Sequence, residues 1–367
     1  MAYERHNIRA LDAYVPGEQP EDQRVVKLNT NENPYPPLEQ IVRAVRGVDP
    51  DALRRYPPPD AGRFRQVAAQ AHQLTPGHVI ATNGGDELLR LAITVFCQPG
   101  PGQDKAGGLG IAQPSYSLYP VLAQIHDTAL TEIPLGEDFQ LPDDFSRQLN
   151  ARRCRLAIIV NPHAPSGRAE PPQKLVRLAR DFDGVLLIDE AYVDFAQLDA
   201  LELLDPRHKL DNVLILRTLS KGYSLAGLRF GYGLGSPGLI AALHKARDSY
   251  NTDILSQAAA VAALEHRAEV SQICQRVIQE RERLTRSLRK LGFGVLPSQA
   301  NFILAQPPGS GPDAASIYQS LKQQGVFVRY FDQERLRDKL RITIGTPQQN
   351  DTLLRALEGI TAGEPQP

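Results

Sequence analysis

Cysteine is scarce in this chain of 367 residues, which contains three, Cys97, Cys154 and Cys274. Their odd number and wide separation exclude a disulfide framework and match no zinc site, which is the pattern of a reduced, cytoplasmic protein. The eight histidines show no metal-ligand spacing, so no metal site is predicted.

An excess of charge of either sign is also missing. Lys and Arg number 41 against 42 Asp and Glu, a formal net charge of −1. Proteins that bind nucleic acid or anionic membranes usually present a basic surface, so neither partner is expected. No apolar run is long enough to span a bilayer, and residues 1–12 carry charges every few positions, unlike a secretory signal. The 42% hydrophobic content instead predicts a globular protein with a large core.

Short apolar runs separated by helical patterns predict an α/β fold. Leu156–Val160, Val185–Ile188 and Val213–Leu216 are typical of buried strands. Because helices are predicted between consecutive strands, the sheet is expected to be doubly wound and mostly parallel.

The chain is predicted to divide into three parts. Residues 1–30 form an N-terminal arm, residues 31–260 a large domain, and residues 261–367 a smaller α+β domain that packs with the N-terminal segment. The charged, amphipathic stretch Gln257–Lys290 is predicted to be a long helix or helix pair that links the two domains. The glycine-rich segment 99–114 is expected to include a strand over GGLGIAQ, although glycine weakens strands.

Polar side chains follow the predicted strands. Asp189 ends one strand, and Ser220, Lys221 and Arg229 follow the next. Because the carboxyl ends of parallel strands meet at one edge, we expect these residues and the loop after Val160 to converge. A neutral lysine can bond to an aldehyde, while a hydroxyl and a guanidinium suit a phosphate ester, so the set indicates pyridoxal phosphate. Each residue alone also fits an ordinary surface or turn-capping role.

Two further features indicate anion binding. Gly84 and Gly85 lie between a predicted strand and a helix that begins near Asp86, where free amides and the helix dipole attract a phosphate. Arg341 interrupts an apolar strand, which predicts either an anion as its partner or a salt bridge at a sheet edge.

Five stretches resemble one known family when taken together. They are RTLSKGYSLAGLRFGY at 217–232, LIDEAYVDF at 187–195, NGGDELLRLAITVFCQPG at 83–100, LNTNENPYPP at 28–37 and LRITIGT at 340–346. Their order and combination are similar to those of the histidinol-phosphate aminotransferases, which are class II, fold-type I pyridoxal-phosphate enzymes of histidine biosynthesis. The resemblance runs from about Tyr14 to Gly345.

The resemblance implies a cofactor role for several residues. Lys221 would bond to the cofactor and later move a proton, Asp189 would pair with its ring nitrogen, Tyr192 would hydrogen-bond the ring hydroxyl, and Tyr116 would stack on the ring. The phosphate would be held by Ser220, Arg229 and the amides of Gly85 and Asp86.

The resemblance also implies substrate and partner contacts. Arg341 would bind the substrate carboxylate, while Arg329 and Tyr14 would contact the substrate phosphate. Tyr56 would reach the cofactor phosphate of a second subunit, so a homodimer is expected.

The loop NPHAPSG departs from the family pattern. Ala164 stands where the family carries an asparagine that touches the ring hydroxyl and the substrate. His163 or Asn161 could replace that contact, and the residues leave the choice open.

The function predicted from these features is transamination between L-histidinol phosphate and 2-oxoglutarate. The alternatives within the fold are an aromatic-amino-acid aminotransferase and a threonine-phosphate decarboxylase. A non-catalytic, pyridoxal-phosphate-binding regulator is disfavoured by the intact set of Lys221, Asp189 and Tyr192. A nucleotide-binding dehydrogenase is disfavoured because no GxGxxG lies between a strand and a helix.

Overall fold

The computed structural model describes residues 3–22, 24–100 and 107–362. Part of the glycine-rich segment at 99–114 therefore lies outside the described residues. The strands, in chain order, are β1 (Val26–Lys27), β2 (Val79–Thr82), β3 (Leu109–Gln113), β4 (Leu130–Pro134), β5 (Leu156–Val160), β6 (Val185–Asp189), β7 (Val213–Thr218), β8 (Gly231–Gly235), β9 (Gly294–Val295), β10 (Phe302–Gln306), β11 (Val326–Phe327), β12 (Arg329–Tyr330) and β13 (Leu340–Thr343). The α-helices are α1 (His6–Arg9), α2 (Glu39–Arg46), α3 (Gly62–Ala71), α4 (Gly84–Phe96), α5 (Leu118–Ile125), α6 (Phe145–Ala151), α7 (Pro172–Asp181), α8 (Pro237–Ala246), α9 (Ile254–Glu265), α10 (Arg267–Lys290), α11 (Ala314–Gln323) and α12 (Pro347–Ala362).

Seven strands form the large sheet, in the order β2-β8-β7-β6-β5-β3-β4. All run parallel except β8, which is antiparallel to both of its neighbours. The strands are covered on both faces: Leu186 and Ile188 of β6 pack into one core, and Leu187 packs into the other. Burial on both faces explains why the central strands have no polar alternation.

The order of the strands creates a crevice at the carboxyl edge of the sheet. After β3 the chain adds β4 on one side and then returns to place β5 on the other. In open α/β sheets the ligand crevice lies at such a reversal. The segments that follow β3, β5, β6 and β7 therefore open into one region, as expected for Asp189 and Lys221.

A smaller sheet, in the order β12-β13-β10-β9, is antiparallel throughout. Near it, β1 pairs in parallel with β11, which joins the N-terminal segment to the C-terminal part of the chain. The predicted linking helix is two helices, α9 and α10, with a break at His266. In α10 the buried residues recur every three or four positions, so one face packs inward.

The α/β fold with a mostly parallel large sheet confirms the predicted class. The domain limits at residues 30 and 260 stay predictions. Within the described residues, none of the helices is both long and apolar enough to cross a membrane.

Candidate active site

A cavity of about 300 Å³ lies at the carboxyl edge of the large sheet and reaches the small sheet and the N-terminal segment. All the predicted site residues except Tyr56 line it: Tyr14, Gly85, Asp86, Tyr116, Asp189, Tyr192, Ser220, Lys221, Arg229, Arg329 and Arg341. The fold thus brings together side chains that are hundreds of residues apart in sequence.

Asp189 forms the floor of the cavity. It is the last residue of β6 and is 5% exposed. The Tyr119 hydroxyl donates to Oδ2 at 2.8 Å, and the Ala191 amide donates to Oδ1 at 3.0 Å. Burial nevertheless raises the pKa of Asp189 to about 6. A carboxylate held in this way favours a cationic N–H group on its cavity side.

Lys221 lies in the loop after β7, and its Nζ donates to the Thr30 carbonyl at 3.2 Å. Burial, and then the nearby Arg341 guanidinium, lower the pKa of Lys221 to about 8. An amine with this pKa is partly neutral near pH 7, which is what nucleophilic attack on an aldehyde requires.

An anion cradle lies at one end of the cavity, at the N-terminus of α4. The preceding residue, Asn83, provides no side-chain cap to the helix. A Cβ on Gly84 would lie 2.8 Å from Arg229 Nη2, and a Cβ on Gly231 would lie 2.7 Å from the Gly84 carbonyl carbon. Glycine therefore permits the close approach of the helix end, β8 and Arg229. Ser220, held by Thr218 Oγ1 at 2.9 Å, completes the cradle.

Aromatic side chains form one wall of the cavity. Tyr116 lies between Tyr14 and Tyr119, with edge-to-face contacts at centroid distances of 5.8 and 5.5 Å. Tyr192 packs edge-on against Phe302 at 4.9 Å. Burial raises the pKa of Tyr116 and of Tyr192, so both hydroxyls keep their protons and can donate them in hydrogen bonds.

Two arginines approach the cavity from the small sheet. Arg329 of β12 lies opposite Arg341 of β13 in the strand register. Arg341 Nη2 donates to the Asn29 carbonyl at 2.7 Å, and its buried Nε has no hydrogen-bond partner among the described residues. Among the described residues, neither Arg329 nor Arg341 forms a salt bridge. Of the two readings of Arg341, the structure therefore favours an anion site over an edge salt bridge.

Tyr56 does not lie with the others. It is 81% exposed and stacks on Tyr250 at a centroid distance of 4.5 Å. Tyr56 does not line the cavity of its own chain. Its predicted contact is with the cofactor phosphate of a second subunit, and that contact stays a prediction.

The loop after β5 resolves part of the question at Ala164. Ala164 lines the cavity, whereas both ring nitrogens of His163 have partners elsewhere. His163 Nε2 donates to the Pro114 carbonyl at 2.8 Å, and Nδ1 accepts from the Ser166 hydroxyl at 2.7 Å. The Asn161 amide likewise bonds to the backbone of Glu170. Neither residue replaces the missing side chain.

Two contacts were not anticipated from the sequence. Asn31 Nδ2 donates to the Tyr192 hydroxyl at 3.0 Å, and Tyr119 donates to Asp189. Asn31 belongs to a stretch expected to be irregular, and no local signal connects it with a residue 161 positions away. Tyr119 carries a usable signal, because a buried tyrosine hydroxyl next to a predicted site needs a partner.

Comparison with known proteins identifies the family of the chain. The family model described as aminotransferase class I and II matches residues 23–357. The chain therefore belongs to the class I and II aminotransferases, which are pyridoxal-phosphate-dependent enzymes.

Its relatives point to one branch of that family. A protein of Trichormus variabilis named histidinol-phosphate aminotransferase 1 is 42% identical over 359 residues, covering 98% of this chain and 99% of the relative. An Acinetobacter baumannii histidinol-phosphate aminotransferase is 41% identical and covers 98% and 97% of the two chains. A solved histidinol-phosphate aminotransferase of Sinorhizobium meliloti, in complex with pyridoxal-5'-phosphate, superposes with a TM-score of 0.86 at 24% identity over 99% of this chain and 98% of that one. The superposition on the Sinorhizobium meliloti enzyme shows that the two chains share a fold.

The residues around the cavity fit pyridoxal phosphate. The buried carboxylate of Asp189 suits a protonated ring nitrogen, the amine of Lys221 suits the aldehyde, and the helix end with Arg229 suits the phosphate. Tyr116 offers a flat apolar face to the ring.

Proposed function

We propose that this chain transfers an amino group between L-histidinol phosphate and 2-oxoglutarate in histidine biosynthesis. The observation that carries the proposal is the pair Arg329 and Arg341, which face the same cavity as Lys221 without a carboxylate partner among the described residues. Two uncompensated guanidinium groups require anionic substrates. The names of the relatives at about 40% identity support the same reaction.

Each substrate carries an anionic group that one of the two arginines can bind. The amino donor has a phosphate and no carboxylate, and we assign that phosphate to Arg329 and Tyr14. The 2-oxo acid has two carboxylates, and we assign the one beside its carbonyl to Arg341, whose buried Nε has no hydrogen-bond partner among the described residues and can donate to it. A planar guanidinium fits both anions, so the two half-reactions can share one pocket.

When bound, pyridoxal phosphate supplies an aldehyde that takes up the amino group and a ring that withdraws electrons. Lys221 Nζ holds and moves the proton during the exchange, because its lowered pKa lets it act as both base and acid. Asp189 keeps a positive charge on the ring nitrogen favourable. Tyr192 donates its hydroxyl proton toward the ring oxygen. The cavity is lined in part by Tyr14, Tyr116 and Leu336, and these bulky side chains limit the access of water.

Replacing Arg329 by Ala should raise the KM for histidinol phosphate by about ten- to hundredfold, since a charge-assisted hydrogen bond is worth about 1.5–3 kcal/mol. The KM for an unphosphorylated aromatic donor should change little. Initial rates with both donors against 2-oxoglutarate measure the difference. Arg337→Ala, at an exposed arginine of the same segment, is the matched control. An equal loss for both donors would show that Arg329 does not read phosphate and would favour an aromatic-amino-acid aminotransferase.

We also propose that the protein is a cytoplasmic homodimer that binds neither nucleic acid nor membranes. Leu53, Tyr56 and Tyr250 expose 59%, 81% and 42% of their surfaces. An exposed aromatic pair such as the stacked Tyr56 and Tyr250 is typical of a protein interface. Tyr56 would then donate its hydroxyl to the cofactor phosphate of the second subunit.

Mixed dimers test the shared site. Tyr56→Phe should cut activity by about ten- to hundredfold through the lost phosphate contact, and Lys221→Ala should abolish it. When the two variants are co-expressed in equal amounts, half of the dimers should be hybrids. Each hybrid has one complete site, so roughly a quarter of all sites should be active. Two separately tagged chains and tandem purification isolate the hybrid for assay. Activity no greater than that of the Tyr56→Phe dimer would place Tyr56 outside the partner's site.

A further inference from the structure

Asn31 occupies a constrained position between the two sheets. Its φ of 56° is in the left-handed region, which asparagine tolerates better than most residues. Its backbone amide donates to Thr343 Oγ1 at 3.0 Å, and its carbonyl accepts from Asn301 Nδ2 at 2.9 Å. Asn31 is 2% exposed, so these bonds are shielded from water.

The side-chain amide of Asn31 is oriented by the Thr343 hydroxyl, which accepts from the Asn31 backbone amide and so has its proton to give. The Thr343 hydroxyl donates to Asn31 Oδ1 at 3.1 Å, which directs Nδ2 to the Tyr192 hydroxyl at 3.0 Å. An amide nitrogen can only donate, so the Tyr192 oxygen must accept. The Tyr192 proton is thereby left free for a different acceptor.

The surroundings of Tyr192 leave that acceptor on the cavity side. Its ring packs edge-on against Phe302, and the residue lines the cavity. We propose that Asn31 is a positioning residue that holds the Tyr192 hydroxyl as a donor toward the ring oxygen of the bound cofactor. The inference rests on the proposed function only in requiring pyridoxal phosphate in this cavity.

Asn31 also connects the cofactor side of the cavity with the substrate side. Thr343, which orients the amide, lies two residues after Arg341 on β13. The same N-terminal segment accepts hydrogen bonds from Arg341 and Lys221 through the carbonyls of Asn29 and Thr30. One side chain therefore links β13 with Tyr192.

The visible absorption band of bound pyridoxal phosphate gives a readout without substrate. A donor to the ring oxygen stabilises its anionic form, so loss of the donor raises the pH midpoint of the band. The midpoint also depends on the ionisable groups that face Tyr192, which are constant in all the variants. They are Tyr14, Tyr116, Tyr119, Asp189, Lys221 and Arg341.

Asn31→Gly removes the amide and keeps a residue that accepts a φ of 56°. We expect the midpoint to rise by about half to one pH unit, the size of one ordinary hydrogen bond. In the Tyr192→Phe background the same substitution should produce no shift, because Asn31 acts through that hydroxyl. Equal shifts in both backgrounds, or none in the wild-type background, would overturn the inference.

Thr343 provides a second test that leaves Asn31 in place. Thr343→Val removes the hydroxyl that orients the amide and should raise the midpoint, whereas Thr343→Ser should leave it unchanged. If Asn31→Gly fails to fold, this pair decides, and identical midpoints for both variants would contradict the inference. Because no substrate is present, the titration decides the role of Asn31 even if histidinol phosphate is not the amino donor.

Discussion

Lys221→Ala should reduce kcat by about 10⁴-fold or more, because the substitution removes both the nucleophile and the group that moves the proton. The variant should still bind pyridoxal phosphate, since Ser220, Arg229 and Asp189 remain. Stopped-flow absorbance with histidinol phosphate and 2-oxoglutarate measures the turnover, and the spectrum of the dialysed protein measures the cofactor retained. Lys245→Ala, at an exposed lysine of α8, is the control and should behave as wild type.

Two further measurements separate Lys221 from a merely structural lysine. Borohydride treatment of the wild-type protein should attach the pyridoxal group permanently to the peptide that contains Lys221. Added methylamine should partly restore the turnover of Lys221→Ala, because a small amine can enter the vacated space and carry the proton. Attachment to another lysine, or a variant that retains more than about one per cent of the activity, would remove Lys221 from the mechanism.

The central strands and the cofactor end of the site were predictable because they depend on local pattern. The predicted limits of β5 at Leu156–Val160 agree with the structure. Strands buried on both faces are continuous apolar runs, and the residue that follows such a strand is placed at the sheet edge by topology alone. This is why Asp189 and Lys221 could be brought together without coordinates.

The glycine-rich strand β8 could not be recognised in the same way. Residues 231–235 read GYGLG, a composition that disfavours strands. The glycines have a long-range cause: a Cβ on Gly231 would collide with Gly84, and a Cβ on Gly233 would lie 2.9 Å from Leu88 Cδ2. The reason for these residues lies in α4, more than a hundred positions away, and no local pattern reveals it.

The edge strand β4 and the position of Asn31 were missed for related reasons. β4 ends in Pro134, which is tolerated because β4 lies at the edge of the sheet. Asn31 lies in the stretch NTNENPYPP, which is irregular in itself and is ordered by contacts to Thr343 and Asn301. Residues that complete a site from a distant segment are visible only when the tertiary contacts are known.

Asp189→Asn should lower kcat by about 10²- to 10³-fold while the fold and the cavity survive. In the proposed site the carboxylate would form a buried ion pair with the ring nitrogen, and removing one partner of such a pair costs about 3–5 kcal/mol. Asparagine has the same shape and keeps one acceptor, Oδ1, for the Ala191 amide, while its Nδ2 replaces the oxygen that accepts from the Tyr119 hydroxyl. The substitution therefore removes the charge and one hydrogen bond together. Steady-state kinetics and thermal unfolding of the same preparations separate catalysis from stability.

Tyr119→Phe is the matched control for Asp189→Asn. It removes the hydrogen bond to Asp189 Oδ2 but leaves the negative charge, so its kcat should fall by no more than about tenfold, the size of one ordinary hydrogen bond. A cofactor analogue methylated on the ring nitrogen carries a fixed positive charge. It should restore part of the activity of Asp189→Asn, because the protein no longer has to stabilise that charge. If Asp189→Asn turns over at a near-normal rate, or if the analogue gives no recovery beyond that seen with Tyr119→Phe, the carboxylate at the end of β6 serves the fold and not the reaction.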